Sequence, residues 1–103
     1  MEQRRTQRFT LQLPLSITRS GAERVTVPGL TKNISSTGVL FTSARQPDLG
    51  GPIEYVITLQ PESPQSVNIR CVGKVVRAER LDRGPIESSF QVAATLERYE
   101  FVR

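Results

Sequence analysis

Phe9-Thr10-Leu11-Gln12-Leu13-Pro14-Leu15-Ser16-Ile17-Thr18 alternates apolar residues with Thr, Gln, Pro and Ser without a break. Side chains of an extended chain point to opposite faces in turn. The stretch therefore predicts a half-buried strand with Phe9, Leu11, Leu13, Leu15 and Ile17 against a core. Pro14 lacks an amide proton, which predicts an edge position or a local break in the ladder.

The two-residue period recurs downstream. Ser20-Gly21-Ala22 predicts a turn, and a second strand runs from about Arg24 towards Asn33 with a bulge or kink at Pro28-Gly29. Val39-Leu40-Phe41-Thr42 is a short third strand. Ile53, Tyr55, Ile57 and Leu59 mark a fourth, after the open loop from Gln46 to Pro52. Past the turn at Pro61-Glu62-Ser63-Pro64-Gln65 a long fifth strand runs from about Ser66 to Leu81. Val67, Ile69, Cys71 and Val75 share one phase and Val72 and Val76 the other, which predicts a bend at Gly73. Asp82-Arg83-Gly84-Pro85 predicts another turn, and Phe90, Val92 and Ala94 start a sixth strand. Leu96, Tyr99 and Val102 have helical spacing, so the chain is expected to end in a short helix or tail.

Val, Ile and Thr make up 25 of the 103 residues, in keeping with an all-β chain. Six short strands linked by turns predict one small closed barrel or sandwich, with no repeat, low-complexity tract or long linker to divide it. The length excludes the large catalytic folds. No apolar run approaches the roughly 20 residues that span a bilayer. Met1-Glu2-Gln3-Arg4-Arg5 has no apolar stretch behind its charges, which predicts no export signal. Histidine is absent, which removes Ser-His-Asp and Cys-His catalysis and histidine metal sites. The one cysteine, Cys71, permits no internal disulfide and no Cys-rich zinc site. Its apolar neighbours predict a buried strand residue, and its being unpaired fits a reducing cytoplasm.

Net charge is +4, and twelve of the fourteen basic residues are arginine. Arginine offers a planar fork that pairs bidentately with phosphates and guanine edges and stacks on rings. Three of the twelve fall in Arg4-Arg5-Thr6-Gln7-Arg8, just before the first strand. Such a head is commonly a solvated, disordered end. As an arm over an anionic ligand, it would let Arg4 and Arg8 reach separate parts of one molecule, and both suit guanine O6 and N7. The second polar cluster is Asn33-Ile34-Ser35-Ser36-Thr37-Gly38. As a turn, it needs only Asn and Ser bonding to their own backbone and a glycine with positive φ. As a site, Asn33 and Ser35 would present a donor and an acceptor to a base edge, while Gly38 lets a ligand approach the backbone.

An Arg-x-x-x-Arg arm, one hairpin and then Asn-x-Ser-x-x-Gly resembles the PilZ family, small six-stranded β-barrels that bind cyclic di-GMP. Val39-Leu40-Phe41 is similar to the strand that follows the second motif, and Gly73-Lys74-Val75-Val76-Arg77 to a stretch of the family's long late strand. The resemblance covers nearly the whole chain. It implies a small six-stranded antiparallel barrel over 9–103, preceded by a flexible arginine-rich ligand-binding arm over 1–8. It implies that Arg4 and Arg8 clasp the guanines and phosphates, that Arg5 assists with phosphate, and that Asn33, Ser35 and Gly38 line the opposite wall.

The sequence departs from the family in two places. Asn33 stands where Asp is commoner, so a neutral amide oxygen replaces a carboxylate acceptor. Phe90 follows Glu87-Ser88-Ser89 where a glycine is frequent, so that end of the barrel is expected to be shaped differently.

The expected function is a non-enzymatic cyclic di-GMP receptor in the cytoplasm. It needs no cofactor, orders its arm on binding, and signals to an unidentified protein partner without inserting in a membrane. The alternative is a protein-interaction module of the same fold that binds no nucleotide. A single-strand nucleic-acid binder would need stacking platforms, and of the six aromatics Phe9, Phe41, Tyr55 and Phe90 fall on core phases. An enzyme is least favoured, since Glu54, Glu79 and Glu87 share no motif.

Overall fold

The computed structural model describes residues 10–82 and 88–102. Strand β1 (Pro14–Ser20) turns at Gly21 and Ala22 into β2 (Glu23–Ile34). β3 (Gly38–Ser43), β4 (Pro52–Leu59), β5 (Val67–Asp82), β6 (Ser88–Thr95) and β7 (Arg98–Val102) follow. Every pairing is antiparallel. The order β4-β1-β2-β3-β6-β5 closes on itself through a β4–β5 pairing, which gives the expected six-stranded barrel, and β7 is an added strand on β5. Closure leaves none of the six barrel strands as a continuous free edge. No helix is present among the described residues, so none is long and apolar enough to cross a membrane.

The alternation becomes the core. Ile53, Tyr55 and Ile57 of β4, Leu15 and Ile17 of β1, Val39 and Phe41 of β3, and Val92 and Ala94 of β6 are all buried. Val27, Cys71 and Val75 complete the packing from β2 and β5. Each fully buried aliphatic side chain contributes about 1.5–3 kcal/mol against the entropy of ordering the chain. Phe41 and Tyr55 pack with ring centroids 5.8 Å apart at the centre.

Several local expectations are corrected. Pro14 is not on an edge strand, because β1 lies between β2 and β4. It is the first strand residue, paired to Leu30 on one side only, so its missing amide costs no ladder bond on the β4 side. The alternation before it outruns the barrel: Leu11 is exposed. Pro28 and Gly29 pair in register with Ser16 and Leu15, and the irregularities of β2 fall on either side of them. On β5 an extra residue lies between Val75 and Arg77, just past Gly73, where the strand passes from β4 to β6. Gly73 meets another need, since a Cβ there would land on the carbonyl oxygen of Thr95.

The helical reading of Leu96, Tyr99 and Val102 is overturned. Arg98–Val102 is β7, which continues past β6 along Asn68–Val72 of β5. That edge of β5 offers backbone partners, and pairing there outweighs a three-residue spacing. Phe9, the arm over 1–8 and most of the turn expected at Asp82-Arg83-Gly84-Pro85 lie outside the described residues. β6 pairs in register with β5 from Ser88 to Ala93.

Antiparallel pairing puts the start of β1, the end of β2, the start of β3 and the end of β6 at one end of the barrel.

Candidate functional site

That end carries the Asn33–Gly38 cluster, and its turn is built around Ser35. Ser35 is buried, and its Oγ accepts from the backbone N–H of Gly38 at 3.1 Å and of Thr37 at 3.3 Å. The hydroxyl also lies 3.2 Å from the Gly38 carbonyl oxygen, to which it donates, while the Ser35 N–H donates to that same oxygen at 2.9 Å. The hydroxyl is thus taken up in holding the turn that joins β2 to β3, where the sequence reading had it beside Asn33 facing a ligand. Gly38 carries no positive φ. Its lack of a side chain serves space instead, since a Cβ would sit 3.1 Å from the Ala94 carbonyl oxygen.

Asn33 stands two residues earlier, at a register shift between Thr31 and Asn33 that gives β2 one more residue than β3. Lys32 is exposed and Asn33 half-buried, both lying between buried Thr31 and half-buried Ile34. The shift aims Asn33 into a shallow groove of about 340 Å³ on the outer face of β2, β3, β6 and β5. Asn33 and Gly38 line this groove, Ala93 and Thr95 lie along it, and Arg77 closes it on the β5 side. Two of the three described site residues are therefore brought together at the groove, and Ser35 supports them from behind. Arg4, Arg5 and Arg8 lie outside the described residues.

The described segment before β1 is held by a residue that sequence reading missed. Thr31 is completely buried, and its Oγ1 accepts from the Leu13 N–H at 2.8 Å and donates to the Leu11 carbonyl. The Thr31 N–H donates to the Leu13 carbonyl at 3.0 Å. Leu11 and Leu13 are thereby tied to β2 two residues before Asn33. A threonine at an apolar phase of a strand was the available signal, because a buried hydroxyl has to find partners.

Thr95 fixes the other side of the groove. Its carbonyl accepts from the Tyr55 hydroxyl at 3.1 Å, and its Oγ1 accepts from the Lys74 N–H at 2.8 Å and donates to the Glu97 carboxylate at 2.9 Å. A larger, mainly apolar hollow of about 970 Å³ opens beside Leu11, Leu59, Val67 and Phe101, and holds neither Asn33 nor Gly38.

Burial pushes the Cys71 thiol up from its ordinary 9.0 to about 11. Burial, then the neighbouring Cys71 and Glu97, pushes the Tyr55 phenol up as well. Cys71 is therefore a packing residue and not a nucleophile at neutral pH. The folded chain keeps protons that the unfolded chain releases above about pH 9, so stability is full below that pH and falls as pH rises through it. The urea midpoint is expected to be lower at about pH 10.5 than at about pH 7.5. Equal midpoints would show that neither group is protected from ionisation as described.

Compared with models of known families, the chain matches the PilZ domain over residues 2–100. That span takes in Arg4, Arg5 and Arg8 as well as Asn33, Ser35 and Gly38. Among curated proteins it has no match.

Proposed function

The chain belongs to the PilZ domain family, a family of binding and adaptor domains that in general take cyclic di-GMP, and we propose that it is itself a receptor for that dinucleotide. The ligand carries two guanines and two phosphates, so an arginine arm meets charge, base edge and ring face in one molecule. Arg4 and Arg8 clasp guanine and phosphate, with Arg5 assisting at phosphate. Asn33 offers its amide to a guanine edge, Gly38 lets the ligand approach the backbone, and Ser35 keeps the turn in the shape both need. Ordering of the arm on binding creates a surface that a protein partner reads in the cytoplasm.

The observation that carries this reading is the Thr31 tether. It holds Leu11 and Leu13 against β2, the strand that runs on to Asn33, so the chain leading to Arg8 and the wall motif share one end of the barrel. The opposite arrangement, with the leader starting from the far end, would have separated the two motifs by the length of β2.

Ordering the arm costs entropy, which sets the expected affinity on the order of micromolar, about −8 kcal/mol. Titration calorimetry should give saturable heat with cyclic di-GMP and none with GTP or the linear dinucleotide. No heat with cyclic di-GMP would favour the second reading, a PilZ-fold interaction module that takes no nucleotide. That reading draws on Tyr99 and Phe101 of β7, an edge-to-face pair with more than half of each side chain exposed.

A further inference from the structure

The groove has a second wall that neither motif supplies, and two bulges face each other across it. On β2, Lys32 and Asn33 both turn away from the core. On β5 the shift between Val75 and Arg77 does the same to Val76 and Arg77, which are both exposed between buried Val75 and half-buried Ala78. Strict alternation would send one member of each pair inward. Bulges recur at barrel rims, where they re-aim a side chain. β3 and β6 lie between the two rims, which puts the rims roughly 14 Å apart at three strand spacings. Leu40 and Ala93 stand in register between Asn33 and Arg77 and, with Gly38 beside them, give the groove a mainly apolar floor.

Arg77 lines the same groove as Asn33, and its guanidinium makes no ion pair among the described residues. Val76 beside it is 58% exposed and places apolar surface next to the guanidinium. A phosphate gains nothing from such a neighbour. The face of a purine ring does, because it leaves water on packing there.

We infer that Arg77 is a specificity residue of the groove, its fork taking the O6 and N7 acceptors of a guanine whose ring rests on Val76. The inference rests on the cyclic di-GMP reading and adds a base contact on the wall opposite Asn33. An exposed arginine that holds up no core can be changed without unfolding the barrel.

The test is calorimetric titration of wild type, Arg77→Ala and Arg77→Lys with cyclic di-GMP, alongside thermal melts. Both variants should melt with the wild type and bind about tenfold more weakly, because lysine keeps the charge and loses the fork. Wild-type affinity in Arg77→Ala overturns the assignment. Restoration by Arg77→Lys overturns it too, since a point charge would then suffice, as for a phosphate. A wild-type chain that takes up no cyclic di-GMP overturns the receptor reading itself, and this inference with it, before any variant is compared.

Discussion

Gly73→Ala is expected to melt about 15 °C below the wild type, because its Cβ would make the closest approach of any described glycine. At Gly73 a Cβ would fall on the carbonyl oxygen and carbon of Thr95. Those are backbone atoms, held by the Tyr55 hydroxyl on one side and by the Gly38 pairing of β6 on the other. They cannot swing aside as the tip of a side chain would. Either β6 retreats from β5 or the barrel opens where β5 passes from β4 to β6. Overpacking of this kind costs about 3 kcal/mol, and a domain of this size loses roughly 5 °C for each. Gly38→Ala is the internal control. Its Cβ would sit 3.1 Å from the Ala94 carbonyl oxygen, which a few tenths of an ångström relieves. Gly73→Ala melting level with Gly38→Ala would mean that the β5–β6 crossing is looser than described.

How far the fold was legible depended on whether a feature belongs to one strand or to two. Ile53, Tyr55 and Ile57 alternate in the sequence and are buried in the barrel, because the period of two is a property of β4 alone. The long β5 could be read for the same reason. Where strands stop was not legible. Leu11 continues the pattern of Leu15 and Ile17, yet it is exposed, because pairing with β4 begins only at Leu15. Bulges were misplaced for a related reason. An extra residue at Val76 exists only relative to Ala93 and Ala94 on β6, so no inspection of β5 by itself reveals it. β7 is the extreme case. Arg98–Val102 is a strand because β5 leaves an edge at Asn68–Val72, and nothing within five exposed residues announces that edge.

The candidate site divides along the same line. Asn33-x-Ser35-x-x-Gly38 was readable as a turn, and it is one, with the Ser35 hydroxyl bonded to Thr37 and Gly38. Whether a serine in such a turn faces a ligand or its own backbone depends on the burial of one hydroxyl, which spacing does not encode. Arg77 was legible only as part of a strand, because Asn33, which lines the same groove, is 44 residues away in sequence and is joined to it only through β3 and β6.

Arg8→Ala is expected to weaken cyclic di-GMP binding roughly ten- to hundredfold while leaving the melting temperature unchanged. A bidentate contact to a guanine edge contributes about 1–3 kcal/mol, which sets that range. Arg8 should matter more than Arg4 because of its tether. The chain is bonded to Thr31 through Leu11 and Leu13, so Arg8 lies three residues from the last anchored position and Arg4 seven. Extended chain spans at most about 3.5 Å per residue, which bounds the reach of Arg8 at about 10 Å from Leu11 and that of Arg4 at about 25 Å. The shorter leash gives the higher effective concentration over the groove and the smaller ordering cost per contact. Arg4→Ala should therefore lose less affinity than Arg8→Ala. Neither change touches the described core, in which Leu13 is the earliest residue. Titration calorimetry on both variants beside the wild type decides the matter. If Arg8→Ala keeps wild-type affinity, Arg8 has no part in the site, and if Arg4→Ala loses more than Arg8→Ala, the shorter leash confers no advantage.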